Sequence, residues 1–487
     1  FRRRIAAVLA AGAVVATGCT TATPQEVPAT DAPAEVPTTA ASVGVGIPPS
    51  ESAALRNHLD YQFPPAPAVP EGAPDDALVE ILDTVFASVA VGVPVEGDTI
   101  REISTFGDAR AAWALTDLLQ FLAPSDNRNA AIEAYTALVG RTSDDPVAQR
   151  STWQSFVDHL VAWDLPALPG YQSWKRDLFT AIEPRWYPFF EDTMSDIDWR
   201  LVSWGGVFID DRALGDAAPC PGGCIPALDD PAVTDAAGGD WYPDDSLIFG
   251  ITINGESRAY PKNMMEVHEM VNDTLGGRRI GVPYCTLCGS AQAYFTDDVP
   301  DGVETPILRT SGLLSRSNKV MYDLVTFSVL DTFTGEALSG PLQDAGLVLN
   351  QASVVTSTWG EWKTAHPDTT IIAQDGGIGR GYSSDPLRGR DDLGPIFPIG
   401  NVDERLEAQT KVFGVFDQEG MAVAFPVDAV RSTLADGQRV VLHGIEVVAD
   451  GSGVRAVDAD GAEVVGHEAF WFAWSQFHPD TVVWAAE

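Results

Sequence analysis

Cys285 and Cys288 stand three apart in "GVPYCTLCGSAQAYF" (Gly281–Phe295), between a short apolar run and a glycine. Thiols at this spacing hold a soft metal ion, exchange with a disulfide, or brace a turn. In the metal reading, two thiolates and one imidazole suit copper or zinc, and His268 is the nearest upstream histidine. Helical spacing in "EVHEMVND" (Glu266–Asp273) puts His268 and Asn272 on one face with Glu269 alongside. Glu269 or Asp273 is then expected to orient the imidazole from behind. The segment is not HExxH, so the metalloprotease reading fails. In the redox reading, proximity lowers one thiol pKa and favours exchange: one cysteine attacks a partner disulfide and the other resolves it. Free amides near Gly289 and Ser290 are expected to steady the thiolate. In the structural reading, a bond between the two closes a very small loop and contributes modestly to stability. All three readings stay open at this point.

Other residues join the candidate pocket. Tyr284 and Ser290 flank the cysteines, and "RTSGLLSRSNKVMYD" supplies Arg309, Ser311, Asn318 and Tyr322. A second close pair, Cys220 and Cys224 in "CPGGC", is expected to form a disulfide if the protein is exported.

The elements that must position these residues fall into two parts. From residue 53 to 200 apolar residues recur at three- and four-residue spacing, as in "DDALVEILDTVFASVAV". Ser125-Asp126-Asn127 provides a helix stop and cap. "FGDARAAWALTDLLQFL" resembles one helix pair of a HEAT-type repeat. The cluster Trp186, Tyr187, Phe189 and Phe190 reads as packing between the two parts. From 201 to 487 short β-branched runs alternate with Gly, Pro and Asp, and "LIFGITINGESRAYP" carries a hairpin signal at Asn254-Gly255. The fold class expected is α+β: a helical N-terminal domain followed by a β-rich domain.

That second part reads as a divergent duplication, about 245–370 and 410–487. "FGITINGESRAYP" aligns with "FGVFDQEGMAVAFP", "GRRIGV" with "GQRVVL", and "WGEWKTAHPDT" with "WFAWSQFHPDT". His366 and His478 recur in both copies and are read as structural helix ends. Cys285 aligns near Ile445 and His268 near Thr433, and no cysteine follows Cys288. The fold therefore does not need sulfur there, which moves the pair towards function.

At the N-terminus, Arg2–Arg4, the apolar run Ile5–Thr17 and "ATGC" have the order of a secretory signal. Small residues before Cys19 resemble a bacterial lipobox, with Ala16 where leucine is commoner. Residues 1–19 read as the signal, Cys19 as the lipidation site, and 20–52 as a Thr-, Ala- and Pro-rich tether. Export and membrane anchoring through lipid follow. A net charge of −39 with only 30 basic residues among 487 disfavours nucleic acid as a partner.

The text from residue 210 onward resembles a bacterial and archaeal family catalogued as domain of unknown function 3179. The resemblance rests on "IPALDDP", "HEMVND", "YCTLCGSAQAYF", "SGLLSRSNKVMYD", "TGEALSGPL" and "HPDT". It implies motif roles for His268, Glu269, Asn272, Asp273, Tyr284, Cys285, Cys288, Ser290, Ser311, Asn318 and Tyr322, and no activity. Leu330 and Thr332 replace the Trp and Gln frequent in that family, so a pocket wall there is altered. The expectation is an extracytoplasmic lipoprotein with a metal (copper or zinc) or thiol-redox site, acting on an unknown protein or small-molecule partner. Its alternative is a non-catalytic cell-surface scaffold with structural cysteines and no cofactor.

Overall fold

The computed structural model describes residues 44–49, 54–140, 151–220, 222–392 and 394–486. The signal, Cys19 and most of the tether lie outside the described residues. The end of the expected tether is instead a strand, Val45–Ile47, paired antiparallel with Val482–Ala485. No helix among the described residues is long and apolar enough to cross a membrane.

The N-terminal helices form where their apolar spacing and caps dictate. Asp76–Ala90 buries Leu78, Leu82, Val85 and Phe86, which fall on one face, and the Asp75 side chain accepts from the amide of Ala77. Ser125 caps Asp126–Val139 as expected, and Gly140 closes it in the left-handed region. Helix Ala112–Phe121 is buried on nearly every side and packs against Asp126–Val139, Thr152–Ala162 and Tyr171–Ile182. This core continues into the β-rich part through Val202, Leu313, Val320 and Tyr322. The Trp186 indole donates to Ser311 O at 2.8 Å, and Phe189 meets Tyr322 edge-on at 5.1 Å. Trp186 and Phe189 of the aromatic cluster thus pack between the two parts, whereas Tyr187 is exposed.

The β-rich part repeats one plan twice. In the first copy a sheet runs Val355–Thr358, Leu247–Ile253, Glu256–Pro261, Thr370–Ile372, Val233–Asp235. In the second it runs Gly466–Phe470, Lys411–Phe416, Ala422–Pro426, Val482–Ala485, Val45–Ile47. The third and fourth strands are parallel in both, and every other pair is antiparallel. A second sheet follows suit: Met270–Leu275, Arg278–Cys285, Ala293–Phe295, Gln351–Ala352 against Val440–Leu442, Ile445–Asp450, Gly453–Val457, Glu463–Val464.

The registers correct two of the sequence alignments. Leu275 opposes Arg278 across one turn, and Leu442 opposes Ile445 across its counterpart. Ile445 therefore corresponds to Arg278, not to Cys285, and "GQRVVL" belongs with Met270–Leu275 rather than with "GRRIGV". Similar residue types on neighbouring strands of one hairpin misled the comparison. Continuing from that turn, Pro283 corresponds to Asp450. The chain then returns at Gln292, whose amide bonds Pro283 O, whereas Asp450 already pairs with Gly453. Residues 284–291 thus stand where the second copy has only Gly451 and Ser452. Residues 296–350 are a second elaboration, replacing 458–462.

Both copies are fastened alike. Trp362 and Trp474 donate to Thr369 and Thr481 Oγ1, each at 2.9 Å, and the following histidine amides close the helices. Each indole lies against a glycine on the second strand of its sheet. A Cβ at Gly250 would stand 2.5 Å from Trp362, and one at Gly414 would stand 2.1 Å from Trp474. Gly250→Ala and Gly414→Ala are expected to cost about 1–3 kcal/mol each through overpacking. Urea unfolding measures this, and a change below about 0.5 kcal/mol, the scale of a neutral surface substitution, would contradict the packing.

Candidate functional site

The elongated hairpin of the first copy carries the cysteine pair at its tip. Tyr284 pairs with Ala291 and Cys285 with Ser290, and the amide of Cys288 bonds Cys285 O at 3.2 Å. Gly289 follows at φ +57°, and a Cβ there would stand 2.8 Å from the Phe470 ring, so backbone and packing both favour glycine. Both cysteines are free thiols, 1% and 0% exposed.

The turn between strands Leu308–Ser315 and Asn318–Asp323, within the second elaboration, closes over them. Cys288 Sγ has two oxygen acceptors in reach of its one hydrogen, Ser317 O at 3.4 Å and Asn318 Oδ1 at 3.3 Å. Cys285 Sγ lies 3.8 Å from the same Ser317 carbonyl and also accepts from the Lys319 amide at 3.4 Å. That donor comes from across the site, not from Gly289 or Ser290 as expected. The buried Lys319 ammonium donates to the carbonyls of Glu269 and Tyr284. Glu269 Oε1 accepts from Thr286 Oγ1 at 3.1 Å.

These contacts divide the protons unequally. Burial raises the Cys285 thiol, but the hydrogen bond from Cys288, the Lys319 amide and its ammonium together bring it below the ordinary value. Cys288 is driven well above it by burial and by the neighbouring Cys285. Burial lowers Lys319, opposed by Glu269 and the two sulfurs, and raises Glu269, opposed by Lys319. The arrangement favours a thiolate at Cys285 beside a protonated Cys288.

His268 is not part of this group. Its Nδ1 lies 2.7 Å from Pro226 O and its Nε2 lies 2.7 Å from the Tyr382 hydroxyl. Both ring nitrogens are engaged, so the expected Cys285, Cys288 and His268 metal set is not assembled. Among the described residues, the group that brings three candidate ligand atoms within 4.8 Å of one another is Asp210, Cys220 and Cys224. Its two cysteines are joined in a disulfide. The Asp210 carboxylate is gripped by Arg212 at 2.6 and 2.9 Å and by the Ala227 amide at 2.7 Å. With its sulfurs bonded and its carboxylate neutralised by arginine, this grouping does not fit a cation.

Several expected pocket residues hold the frame instead. Asp273 accepts from Arg258 and Tyr260 rather than orienting His268, and Glu269 faces Lys319 and Thr286. Asn272 ties Leu308 to Asp229, Arg309 makes a two-pronged bond to Asp229, and Ser311 Oγ donates to Val320 O. Tyr322 donates to Asp210 O at 2.6 Å. Of the expected set, Cys285, Cys288, Glu269, Tyr284, Ser290 and Asn318 come together. Ser317 and Lys319 were missed; the one usable signal was a lysine inside the otherwise buried strand "NKVMYD".

Polar atoms around the pair lack partners in the protein. They are Ser290 Oγ, Ser317 Oγ and Asn318 Nδ2, all buried. Buried polar groups are ordinarily satisfied, so this concentration marks a place shaped for something other than stability.

Burial lowers the His268 pKa to about 4. The unfolded imidazole takes a proton near pH 6.5, so the stability this residue confers is complete above that pH and is lost as the pH falls towards 4. From pH 7 to pH 5 the loss is roughly 2 kcal/mol for this residue. Urea unfolding at the two pH values should show it, with a smaller difference in His268→Gln; an equal difference in both proteins would refute the assignment.

The profile of the family described as Protein of unknown function (DUF3179) matches residues 222–461. No curated protein and no solved structure matches the chain. The matched stretch contains the first copy with both its elaborations and most of the second copy, and it supports placing this β-rich part in the DUF3179 family.

Proposed function

We propose that Cys285 and Cys288 form a dithiol–disulfide redox centre in an exported protein that lipid on Cys19 holds at the membrane. The observation that carries the reading is two free, neighbouring thiols in unlike surroundings, Cys285 Sγ facing the Lys319 amide at 3.4 Å and Cys288 Sγ facing Asn318 Oδ1 at 3.3 Å. Cys285 attacks as thiolate, and Cys288 gives up its proton as it closes the bond. Together the two thiols lose two electrons and two protons, and a low-molecular-weight disulfide accepts them to become two thiols. Burial of both sulfurs favours such a small partner over a protein disulfide. The Cys220–Cys224 disulfide is in keeping with an oxidising compartment.

A second reading has its own support. Two sulfurs with no bond between them and a cation alongside suit Cu(I), which two thiolates can hold; zinc asks for four ligands, which the described residues do not bring together here.

Equilibration in glutathione buffers of graded potential, followed by acid quenching and mass analysis, tests the first reading. The peptide containing Cys285 and Cys288 should lose two hydrogens over a defined range of potential, and Cys285→Ser should abolish the loss. Lys319→Met should raise the Cys285 pKa and slow oxidation at pH 7 about tenfold. A pair that stays reduced in the folded chain yet oxidises in the unfolded chain would sink the redox reading. Anaerobic titration with Cu(I) decides the second, with failure to bind one ion per chain excluding it.

A further inference from the structure

On the far side of His268 the protein has an open cleft of about 840 Å³, within the size range of small-molecule sites. Trp241, Lys262, Glu266, Arg380, Tyr382 and Asp391 line it. We infer that this cleft binds a hydroxyl-rich ligand, a neutral or amino-substituted oligosaccharide. The inference does not depend on the dithiol reading.

The hydrogen-bonding capacity of the walls sets the ligand class. Lys262 already donates to Glu266 and to Asp391, the latter at 3.0 Å. The Asn263 amide nitrogen donates to Ser383 O at 2.9 Å, while its Oδ1, on a residue only 7% exposed, has no partner. The Tyr382 hydrogen is also committed. A backbone carbonyl only accepts, so His268 must carry its hydrogen on Nδ1, facing Pro226 O. Its bare Nε2 then receives the hydrogen of Tyr382, and the phenol oxygen keeps only lone pairs to offer the cleft.

The opposite wall adds acceptors. Asp375 and Asp385 each hold their own loop through Oδ1, by the amides of Gly377 and Arg388, and each has a second oxygen. Arg380 and the Trp241 indole N–H add donors to the lining, but four carboxylates, Glu266, Asp375, Asp385 and Asp391, stand there against two cations, Lys262 and Arg380, so acceptors and negative charge predominate and the complementary ligand brings donors. Hydroxyls and ammonium groups fit, whereas a carboxylate or phosphate would face repulsion. The Trp241 ring supplies a surface for the C–H face of a sugar, while the Tyr382 ring has the Arg380 guanidinium over it at 5.7 Å. That ring surface together with planar carboxylates favours a saccharide over a simple amine, because adjacent hydroxyls can bridge both oxygens of one carboxylate.

The test uses the full chain on an array of neutral, amino and acidic glycans, with affinities then measured by calorimetry for cellotetraose, a glucosamine tetramer and tetragalacturonate. Neutral or amino glycans are expected to bind, and tetragalacturonate at least about tenfold more weakly. Tyr382→Phe and Asp385→Asn should each weaken binding about tenfold. Asp385 is exposed, so its variant keeps the test valid if other variants lose their fold. The proposal is overturned if no neutral or amino glycan binds at millimolar concentration, if the acidic tetramer binds as tightly, or if both variants bind like the parent chain.

Discussion

In each half of the β-rich part an indole lies flat against a strand glycine, and the rest of the architecture depends on that contact. Trp362 on Gly250 and Trp474 on Gly414 fix how closely helix and sheet approach. The Thr369 and Thr481 hydroxyls then hold the indole nitrogens, so the final parallel strand can dock in only one register. The second copy achieves this frame with short turns alone. The frame is therefore complete without the first copy's long segments 284–291 and 296–350, which are free to build something else. They meet face to face, and the two thiols are buried where they meet.

Burial makes the chemistry of that junction unequal. A lysine, a glutamate and two thiols share a space from which water is excluded, so each charge must be answered by a neighbour. Lys319 sits among the carbonyls of Glu269 and Tyr284 and beside both sulfurs. The backbone amide that reaches Cys285 and the acceptors that reach Cys288 break the symmetry of the pair. Lys411, from the second copy, donates to Gly289 O at 2.6 Å and lies over the Phe470 ring. The second copy thus backs the site without supplying sulfur.

One backbone angle separates the two candidate sites. Helix Lys262–His268 ends at Glu269, which adopts φ +51°. The chain reverses there, so that consecutive side chains part: His268 turns to Tyr382 and the cleft, and Glu269 turns to Thr286 and Lys319. The metal reading assumed instead a helix continuing to Asn272, with His268 and Asn272 on one face and Glu269 alongside. Arg309, Ser311 and Tyr322, which belong to the same run of motifs, instead secure the junction with the helical part, where Trp186 and Phe189 pack.

Periodicity and punctuation in the sequence determined the α+β division, the cap at Ser125, and the duplication, because those features are written in local residue patterns. The tryptophan and His-Pro-Asp-Thr pattern was legible because it repeats, and the hairpin of the first copy because Asn254-Gly255 demands a turn. The same self-comparison slipped by one strand at "GQRVVL", since a short β-branched run does not record its partner. Cys285 and Cys288 stood out by type and spacing alone. Tertiary structure decided what surrounds them. Ser317, Asn318 and Lys319 arrive from about thirty residues downstream through an elaboration whose path no local pattern encodes. It also decided that His268 pairs with Tyr382 of the cleft wall and not with the cysteines, because the direction of that side chain depends on a single left-handed residue and on a tyrosine more than a hundred positions away.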